Sequence, residues 1–413
     1  MFFQAILAAT FLGKGTAIAG PTFFLTAAEH SGDALGAAVI PALRQMHPDA
    51  SFVGIGGERM AAAGCRLLAD PTARSAMLIG AVRQAHYWYG LLGQIKQELK
   101  AHRPDVVVPI DSPTINLRIA NMAKKAGLPV CFYVAPQLWA WAEWRMGKVR
   151  ASVDTLCCIL PFEQSYFKKH DINAVYVGHP MFDLPADLPE NDPANIDPPL
   201  PGMAGRGSTG NGDHPDAPRV ALLPGSRTGE IQNNLPPMLE MISEIKGRFP
   251  RVSFVAAAAS EQRAWQIRHH LRRVNTPVDI RVGMTDAIIR WSDLVLSVSG
   301  TATLQIAKHH KPMIVMYAVA AYKWHLLGRH LIRTQYMSLV NILADKELVP
   351  EYMPFYGSPL PMAREAIDLL AHPEQRAAMS RDLAELVQPL QPQATGAQAR
   401  DRVAAEISKL LKK

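Results

Sequence analysis

Two strings in the first half of the sequence combine carboxylates with small polar residues, directly after apolar runs that are typical of strands. Glu29-His30-Ser31-Gly32-Asp33 follows the run 22–26, and Asp111-Ser112-Pro113-Thr114-Ile115-Asn116 follows the run 106–110. Ligands of open parallel sheets bind at the carboxyl ends of the strands. A carboxylate at such an end can accept a proton from a substrate hydroxyl. The candidate catalytic residues are therefore Asp111, Glu29 and Asp33, and the candidate substrate-binding residues beside them are Ser31, Gly32 and Asn116.

The same residue types also have a structural interpretation. Ser31 or Asp33 would serve as the N-cap of the helix predicted over 34–46. Asp111 would cap the helix that follows it in the same way. The sequence alone does not decide between the catalytic and the helix-capping interpretation.

In the second half, Gly225-Ser226-Arg227 follows a predicted strand over 220–223. A glycine lets the backbone approach a ligand closely, a serine hydroxyl can donate to an oxygen, and a guanidinium matches phosphate geometry. The string indicates a phosphate-binding turn, and the alternative is a solvated arginine without a ligand.

A run of small residues, Ser299-Gly300-Thr301, lies between the predicted strand 294–297 and a helical pattern that contains Gln305. Small residues leave the first amides of a helix uncovered, so its positive end can hold a diphosphate without any metal ion. A departing nucleoside diphosphate needs such a place. A generic capped turn would give the same string.

Two tryptophans, Trp139 and Trp141, follow Pro136 after the predicted strand 130–134. Since positions i and i+2 do not share a helix face, the indoles would form a pocket wall or brace a cleft between lobes. Core packing explains them equally well.

Short apolar runs alternate with amphipathic helical stretches along most of the chain, which is the pattern of parallel sheets with crossover helices. The pattern predicts an α/β protein of two Rossmann-like, doubly wound lobes with an interlobe cleft. The predicted strands are 22–26, 51–55, 106–110, 130–134, 156–160, 220–223, 252–256, 278–282, 294–297 and 313–317. The predicted domains are an extension over 1–20, a first lobe over 21–183, a linker over 184–218, a second lobe over 219–380 and a helical tail over 381–413.

The domain prediction agrees with the length of 413 residues, which exceeds what one hydrophobic core usually serves. The linker is set apart by composition, because 184–219 holds eight prolines and five glycines. The segment 1–20 has an apolar run but no Lys or Arg before it, which favours an extension or an interfacial segment over a signal peptide.

The net charge of +7 favours an anionic partner, such as a phosphate-bearing substrate or an acidic membrane surface. Nucleic acid is disfavoured because the basic residues are scattered rather than clustered. The four cysteines have no metal-ligand spacing, so no metal site is expected. We expect no other cofactor either. No P-loop, zinc-protease, serine-hydrolase or complete dinucleotide-binding motif occurs.

An apolar cluster between two early predicted strands resembles an interfacial patch, and a buried helix is the alternative. Its main members are Met77, Leu78, Ile79, Val82, Trp88 and Leu92, joined by Tyr87, Tyr89, Leu91 and the cation Arg83.

In their order along the chain, these strings resemble the lipid-A-disaccharide synthase family. The matching segments are AAEHSGDALGA, FVGIGGERM, PIDSPTIN, YVAPQLWAW, LPFE, VGHPMFD, LLPGSRTGEI, SGTATLQIA and SLVNILADKELVPE. The resemblance implies the GT-B fold and a cytoplasmic enzyme peripheral on the anionic inner-membrane surface. Its substrates would be a UDP-2,3-diacylglucosamine donor and a 2,3-diacylglucosamine 1-phosphate acceptor. Its products would be a β-1,6-linked disaccharide, formed with inversion, and UDP; an oligomer is compatible with it.

By resemblance, Arg227 and Ser299-Gly300-Thr301 would bind the donor phosphates, Gln305 the ribose hydroxyls, and Asn341 would belong to the substrate-binding set. The chain departs from the family pattern at four positions: Ala28 for glycine, Thr114 for aspartate, Val340 for proline and Gln305 for glutamate. The last change removes a charged acceptor and predicts weaker donor binding. Two other functions stay open, namely another GT-B UDP-hexosamine transferase or epimerase, and a non-catalytic lipid or nucleotide-sugar binding protein.

Overall fold

A computed structural model describes residues 20–72, 81–184, 188, 192–196, 200–201, 217–272, 274, 276–318, 334–355 and 357–411. The chain divides into two compact units. The first comprises the described parts of 1–134, 151–156 and 403–413, and the second those of 135–150 and 157–402.

The first sheet has seven strands in the order β3-β2-β1-β4-β5-β6-β7. They are β1 Thr22–Ala27, β2 Ser51–Ile55, β3 Arg66–Ala69, β4 Val106–Ile110, β5 Cys131–Tyr133, β6 Thr155–Cys158 and β7 Ala174–Tyr176. The central strand β1 pairs in parallel with both β2 and β4. All five residues of β4 are buried, which explains why its sequence is uninterrupted by polar residues.

The second sheet has six strands in the order β10-β9-β8-β11-β12-β13, and all five pairings are parallel. The strands are β8 Arg219–Leu223, β9 Ser253–Ala258, β10 Asp279–Val282, β11 Leu294–Val298, β12 Met313–Ala318 and β13 Glu351–Phe355. Alternate residues of β8 pack into two different apolar clusters, Val220 and Leu222 in one, Ala221 and Leu223 in the other. The sheet is therefore covered on both faces.

The helices of the described residues connect these strands. They are α1 His30–Met46, α2 Glu58–Ala62, α3 Ala81–Ala101, α4 Pro113–Lys125, α5 Leu138–Trp141, α6 Met146–Ser152, α7 Pro161–Lys168, α8 Thr228–Arg248, α9 Glu261–Leu271, α10 Thr285–Trp291, α11 Thr301–Lys308, α12 Leu339–Ala344, α13 Leu360–Ala371, α14 Pro373–Val387, α15 Pro392–Thr395 and α16 Ala399–Ser408. Short 3-10 turns occur at Glu143–Arg145, Pro180–Phe182, Pro193–Asn195 and Gln388–Leu390.

Both sheets reverse their strand order at one place. In the first sheet the neighbours at the reversal are β1 and β4, whose last paired residues are Ala27 and Ile110. In the second they are β8 and β11, which pair as far as Leu223 and Ser297. At a reversal the connecting helices diverge, so the carboxyl ends of the two strands are left accessible.

All ten strands predicted from the sequence are present, with ends shifted by at most two residues. The three that the prediction missed, β3, β7 and β13, each lie at the edge of a sheet. Edge strands keep partly exposed residues: none of β13 is fully buried, for example. They lack the apolar run that identifies a central strand.

The two tryptophans that follow β5 have different environments. Trp139 is buried in the core, and its indole Nε1 donates to Glu163 Oε1 at 3.1 Å. Trp141 is 44% exposed and lies edge-on to the exposed Trp144. Core packing was thus the right explanation for the first tryptophan only.

Glu163 is the buried acid that organises the start of α7. Its Oε2 accepts from the amides of Ile159 and Leu160 at 3.2 and 3.1 Å, and only 1% of the residue is exposed. Burial raises the pKa of Glu163 from 4.5 to about 7, although its three hydrogen bonds act in the opposite direction.

We predict that this acid makes the stability of the protein depend on pH. A folded-state pKa above the unfolded value means that Glu163 stabilises the protein fully below about pH 4.5, and that this stability is lost as the pH rises to about 7. The change is on the order of 3 kcal/mol. In urea denaturation at about pH 5 and about pH 8, the wild type should lose stability relative to Glu163→Gln, whose amide does not titrate. A difference between the two proteins that stays constant over this range would contradict the prediction.

Candidate active site

The first candidate site lies at the reversal between β1 and β4. Ser31, in the first turn of α1, and Asp111, directly after β4, approach each other with Ser31 Oγ at 3.4 Å from Asp111 Oδ2. The two strings singled out in the sequence therefore meet. Gly32 makes room for this approach, because a Cβ at this residue would lie 3.2 Å from the carbonyl oxygen of Ile110, which is closer than ordinary van der Waals contact.

The turn that carries Asp111 has an unusual backbone. Asp111 and Ser112 have φ angles of 55° and 43°, both in the left-handed region that non-glycine residues rarely adopt. Ser112, rather than Asp111, is the N-cap residue of α4, so the capping interpretation of Asp111 was wrong. Two adjacent residues in a costly conformation indicate a place where geometry is held for a function.

Asn116 holds this turn in place. Its Nδ2 donates to the carbonyl oxygens of Ile110 and Asp111, each at 2.7 Å, and its Oδ1 accepts from Thr26 Oγ1 at 2.8 Å. The residue has no exposed surface. Its amide is thus occupied by the two strand ends, which makes it a positioning residue rather than a ligand contact.

Asp33 differs from what the sequence led us to expect. Helix α1 begins at His30 with Glu29 as its N-cap residue, so neither Ser31 nor Asp33 caps it. The Asp33 carboxylate is buried and accepts from the amides of Gly57, Arg59 and Met60 at 2.7, 3.2 and 3.1 Å. It therefore fixes the glycine-rich turn before α2.

Glu29 remains as a second carboxylate at this strand end. The residue is exposed, and its side chain does not cap α1. It differs from Asp33 in that no backbone amide recorded in the described structure occupies its oxygens.

The second candidate site begins with the turn after β8. Gly225 has a φ of 112°, and a Cβ there would lie 2.6 Å from that of Glu230. Glu230 accepts from the amides of Ser226 and Arg227 at 3.0 and 3.1 Å, and from Arg227 Nη1 at 3.1 Å. The Arg227 side chain is 76% exposed, so its remaining N–H groups are available to a ligand.

Arg263, a residue that the sequence analysis did not identify, supports this turn from α9. Its Nε donates to the carbonyl oxygen of Ser226 at 3.0 Å, and its Nη1 donates to Thr228 Oγ1 at 2.7 Å. Since β9 and β8 are neighbours, the first turn of α9 lies beside the turn after β8. An arginine in the first turn of the helix after an adjacent strand is the signal that could have identified it.

The start of α11 supplies the other half of the second site. Gly300, with a φ of 148°, is the N-cap residue, and no side chain caps the helix. Ser299 Oγ contacts the carbonyl oxygen of Met337 at 3.4 Å, and Thr301 is exposed. The first turn of α11 thus presents uncapped amides at the positive end of the helix. Four residues further on, the Gln305 side chain donates to Asp286 of α10.

Asn341 does not have the environment of a substrate contact. Its Nδ2 donates to the Val349 carbonyl oxygen and to Glu351 Oε2 at 2.9 and 3.0 Å, and its Oδ1 accepts from the amides of Leu348 and Val349. The residue is fully buried. All of its hydrogen-bonding capacity serves the turn between α12 and β13.

The apolar patch is described only in part. Met77, Leu78 and Ile79 lie outside the described residues, as does the side chain of Val82. On α3, Trp88 and Leu92 are partly buried, Leu91 is buried and Tyr89 is 82% exposed. Within the described ranges no helix is both long and apolar enough to cross a membrane, and no cluster of His, Cys, Asp and Glu has the makings of a metal site.

Comparison with solved structures shows the fold. HepE of Anabaena, in complex with UDP and glucose, matches with a TM-score of 0.54 at 11% identity, over 94% of this chain and 100% of its own. A UDP-GlcNAc 2-epimerase from Neisseria meningitidis bound to UDP-GlcNAc gives 0.56 at 14% identity, covering 94% of this chain and 98% of that chain. The calicheamicin glycosyltransferase CalG4 gives 0.55 at 13% identity, covering 95% and 98%. The predicted GT-B fold is confirmed.

Comparison with curated sequences gives the family. A lipid-A-disaccharide synthase of Alcanivorax borkumensis is 34% identical over 393 residues, which are 95% of this chain and 98% of that protein. One from Syntrophus aciditrophicus is 33% identical over 368 residues, or 88% and 91%. The family model described as lipid-A-disaccharide synthetase matches residues 23–405, almost the entire chain. These matches over almost the entire length show that the chain belongs to the lipid-A-disaccharide synthase family.

Proposed function

We propose that this chain is an inverting hexosyltransferase that joins UDP-2,3-diacylglucosamine to 2,3-diacylglucosamine 1-phosphate, giving the β-1,6-linked lipid A disaccharide and UDP. The observation that carries the proposal is the family match over residues 23–405. Two of the solved structures with this fold contain UDP or a UDP-sugar, which supports a nucleotide-sugar donor.

The donor diphosphate would bind to the second candidate site. The uncapped amides of α11 and the exposed guanidinium of Arg227 are both positive groups, and they follow the neighbouring strands β11 and β8. Such groups stabilise the negative charge that appears on UDP as its bond to the anomeric carbon breaks. The protein would thus stabilise the negative charge on UDP with its own amides and guanidinium, without a metal ion.

Asp111 would be the general base. In the reaction the 6-hydroxyl oxygen of the acceptor forms a bond to the anomeric carbon, the bond to the UDP oxygen breaks, and the hydroxyl proton passes to a carboxylate. Asp111 is favoured over Asp33 because three backbone amides occupy the Asp33 carboxylate. Asn116 then acts through Asp111, by fixing the turn that carries it.

The membrane would be engaged through α3, since both substrates carry acyl chains. Trp88, Tyr89 and Leu92 leave apolar surface at least partly exposed on this helix. Amphipathic helices with aromatic and aliphatic residues on one face bind at the interface of a bilayer. We therefore propose a peripheral location on the inner membrane.

The function as a whole is tested by incubating the purified protein with the two acylated glucosamine substrates and analysing the products by mass spectrometry. Equal amounts of UDP and disaccharide are expected. Release of UDP with a different acceptor, or conversion of the donor without one, would indicate another transferase or an epimerase. Binding of UDP without any turnover would indicate a non-catalytic protein.

Asp111→Asn should lower kcat by about a hundredfold to ten-thousandfold, because it removes the proton acceptor while keeping shape and hydrogen bonds. KM for either substrate should change little. Asp171→Asn is a matched control, since Asp171 also has a left-handed φ, of 57°, but is 85% exposed. Near-normal turnover of the Asp111 variant at saturating substrates, together with loss in Glu29→Gln, would assign the base to Glu29 instead.

Arg263→Gln should weaken UDP binding by about tenfold, because the turn that carries Arg227 loses two hydrogen bonds from a charged donor. Isothermal titration calorimetry with UDP measures this. Arg268→Gln on the same helix is the control, because among the described residues Arg268 is recorded only in a 3.7 Å ion pair with the exposed Glu261. If Arg263→Gln changed UDP affinity no more than the control does, the turn would not need its support.

The double variant Trp88→Glu, Leu92→Glu should lose flotation with vesicles that contain anionic phospholipid, since two charges would have to enter the interface. Its circular dichroism spectrum should match that of the wild type. Trp265→Glu, which alters an exposed tryptophan on α9, should float normally. Undiminished flotation of the double variant would exclude this part of α3 as the membrane contact.

A further inference from the structure

Three side chains form a hydrogen-bonded cluster on two helices of the second unit. Asp286 lies in the first turn of α10, while Gln305 and His309 lie in and directly after α11. His309 Nε2 is 2.6 Å from Asp286 Oδ1, and the Gln305 side chain also donates to the Asp286 carboxylate. The cluster has no part in the phosphate or proton chemistry described above.

The cluster lies one helical turn from the start of α11, where the donor diphosphate is proposed to bind. Gln305 follows Thr301 by four residues, so the two side chains lie on the same face of the helix, one turn or about 5.4 Å apart. A ribose is joined directly to the diphosphate of a nucleoside diphosphate. If the diphosphate lies at Thr301, the ribose is within reach of the face that carries Gln305.

A ribose presents two adjacent hydroxyl groups, and these bind best to a charged acceptor. Gln305 is neutral and has a single acceptor oxygen. Asp286 is a negatively charged residue in contact with Gln305, and its side chain is 29% exposed. A carboxylate offers about four acceptor positions, of which His309 and Gln305 use two, so two remain for hydroxyl groups.

The cluster also keeps Asp286 charged and in one orientation. Burial would raise the pKa of Asp286, but hydrogen bonds from His309 and Gln305, with the charges of His309 and Lys308, lower it below its ordinary value. The His309 side chain is 2% exposed and therefore cannot be the ligand contact itself. It holds the carboxylate from the buried side.

We propose that Asp286, oriented by His309 and Gln305, is the residue that binds the ribose hydroxyls of the donor nucleotide. Asp286 is then a specificity-determining residue that favours ribonucleotides over deoxyribonucleotides. The proposal rests on the proposed function, since it takes the diphosphate to bind at α11.

The test is calorimetric titration of UDP, 2′-deoxy-UDP and pyrophosphate into the wild type and into Asp286→Asn, which keeps the shape of the side chain. The wild type should bind UDP about ten- to a hundredfold more tightly than 2′-deoxy-UDP. In Asp286→Asn this preference should shrink to about threefold or less through weaker UDP binding, while the affinity for pyrophosphate stays unchanged. Asp279→Asn is the control, because Asp279 is 32% exposed and also paired to a cation in the same unit.

A second set of variants keeps the test decisive if Asp286→Asn proves unstable by circular dichroism. His309→Gln retains the carboxylate but not its fixed orientation, and should also reduce the preference for UDP. The double variant Gln305→Glu, Asp286→Asn should restore the preference for UDP over 2′-deoxy-UDP, because residue 305 then supplies the carboxylate that residue 286 has lost.

Two results would overturn the proposal, and they differ. If Asp286→Asn, or His309→Gln in its place, weakens UDP and 2′-deoxy-UDP equally, the ribose does not contact Asp286, and the phosphate site is unaffected. If the wild type binds neither UDP nor pyrophosphate, the proposed function fails and the ribose assignment fails with it.

Discussion

The reversal of strand order in each parallel sheet is the constraint on which both candidate sites depend. Every buried strand must be covered by crossover helices, and these run in opposite directions from the reversal. The ends of β1 and β4, and of β8 and β11, are consequently the places where a polar residue can follow a fully buried strand without itself being buried. Asp111, Arg227 and Thr301 all occupy such positions.

Buried polar residues convert these strand ends into defined geometries. Asn116 joins the ends of β1 and β4, Asp33 fixes the turn after β2, and Glu230 fixes the turn after β8. The Asp33 carboxylate and the Asn116 amide nitrogen bind backbone groups, while Glu230 accepts from two amides and from the Arg227 guanidinium. The buried polar atoms of Asp33 and Asn116 are thereby paired, as burial requires. Asn116 thus holds the turn of Asp111, and Glu230 holds the turn of Arg227.

The sequence was sufficient where a signal is local. The run Val106–Ile110 followed by Asp111, and Gly225-Ser226-Arg227 after an apolar strand, predict the strand and the polar turn at its carboxyl end, and the structure has both. The resemblance identified the family correctly, and the family match confirms it.

The sequence was insufficient where a partner is distant along the chain. Asp33 resembles a helix cap, but its three partners lie 24 to 27 residues further on. Asn341 resembles a ligand contact until Glu351 and Val349 are seen beside it. Arg263 and Asp286 belong to no motif, and their contacts with Ser226 and Gln305 are visible only in the fold. Three of the four edge strands, β3, β7 and β13, were missed for a different reason, since partial exposure removes the apolar run.

The left-handed pair Asp111 and Ser112 has a consequence for the evolution and engineering of this chain. Each residue raises the free energy of the folded state by about 1 kcal/mol or more, and Ser112 Oγ is buried without a hydrogen-bond partner among the described residues. A glycine at 112 would remove the backbone strain of this residue and its unpaired hydroxyl, and a screen for thermostability would readily select it. The same glycine would widen the range of orientations open to the Asp111 carboxylate. Because Asp111 is the proposed general base, selection for heat resistance and selection for activity would then favour different residues at position 112.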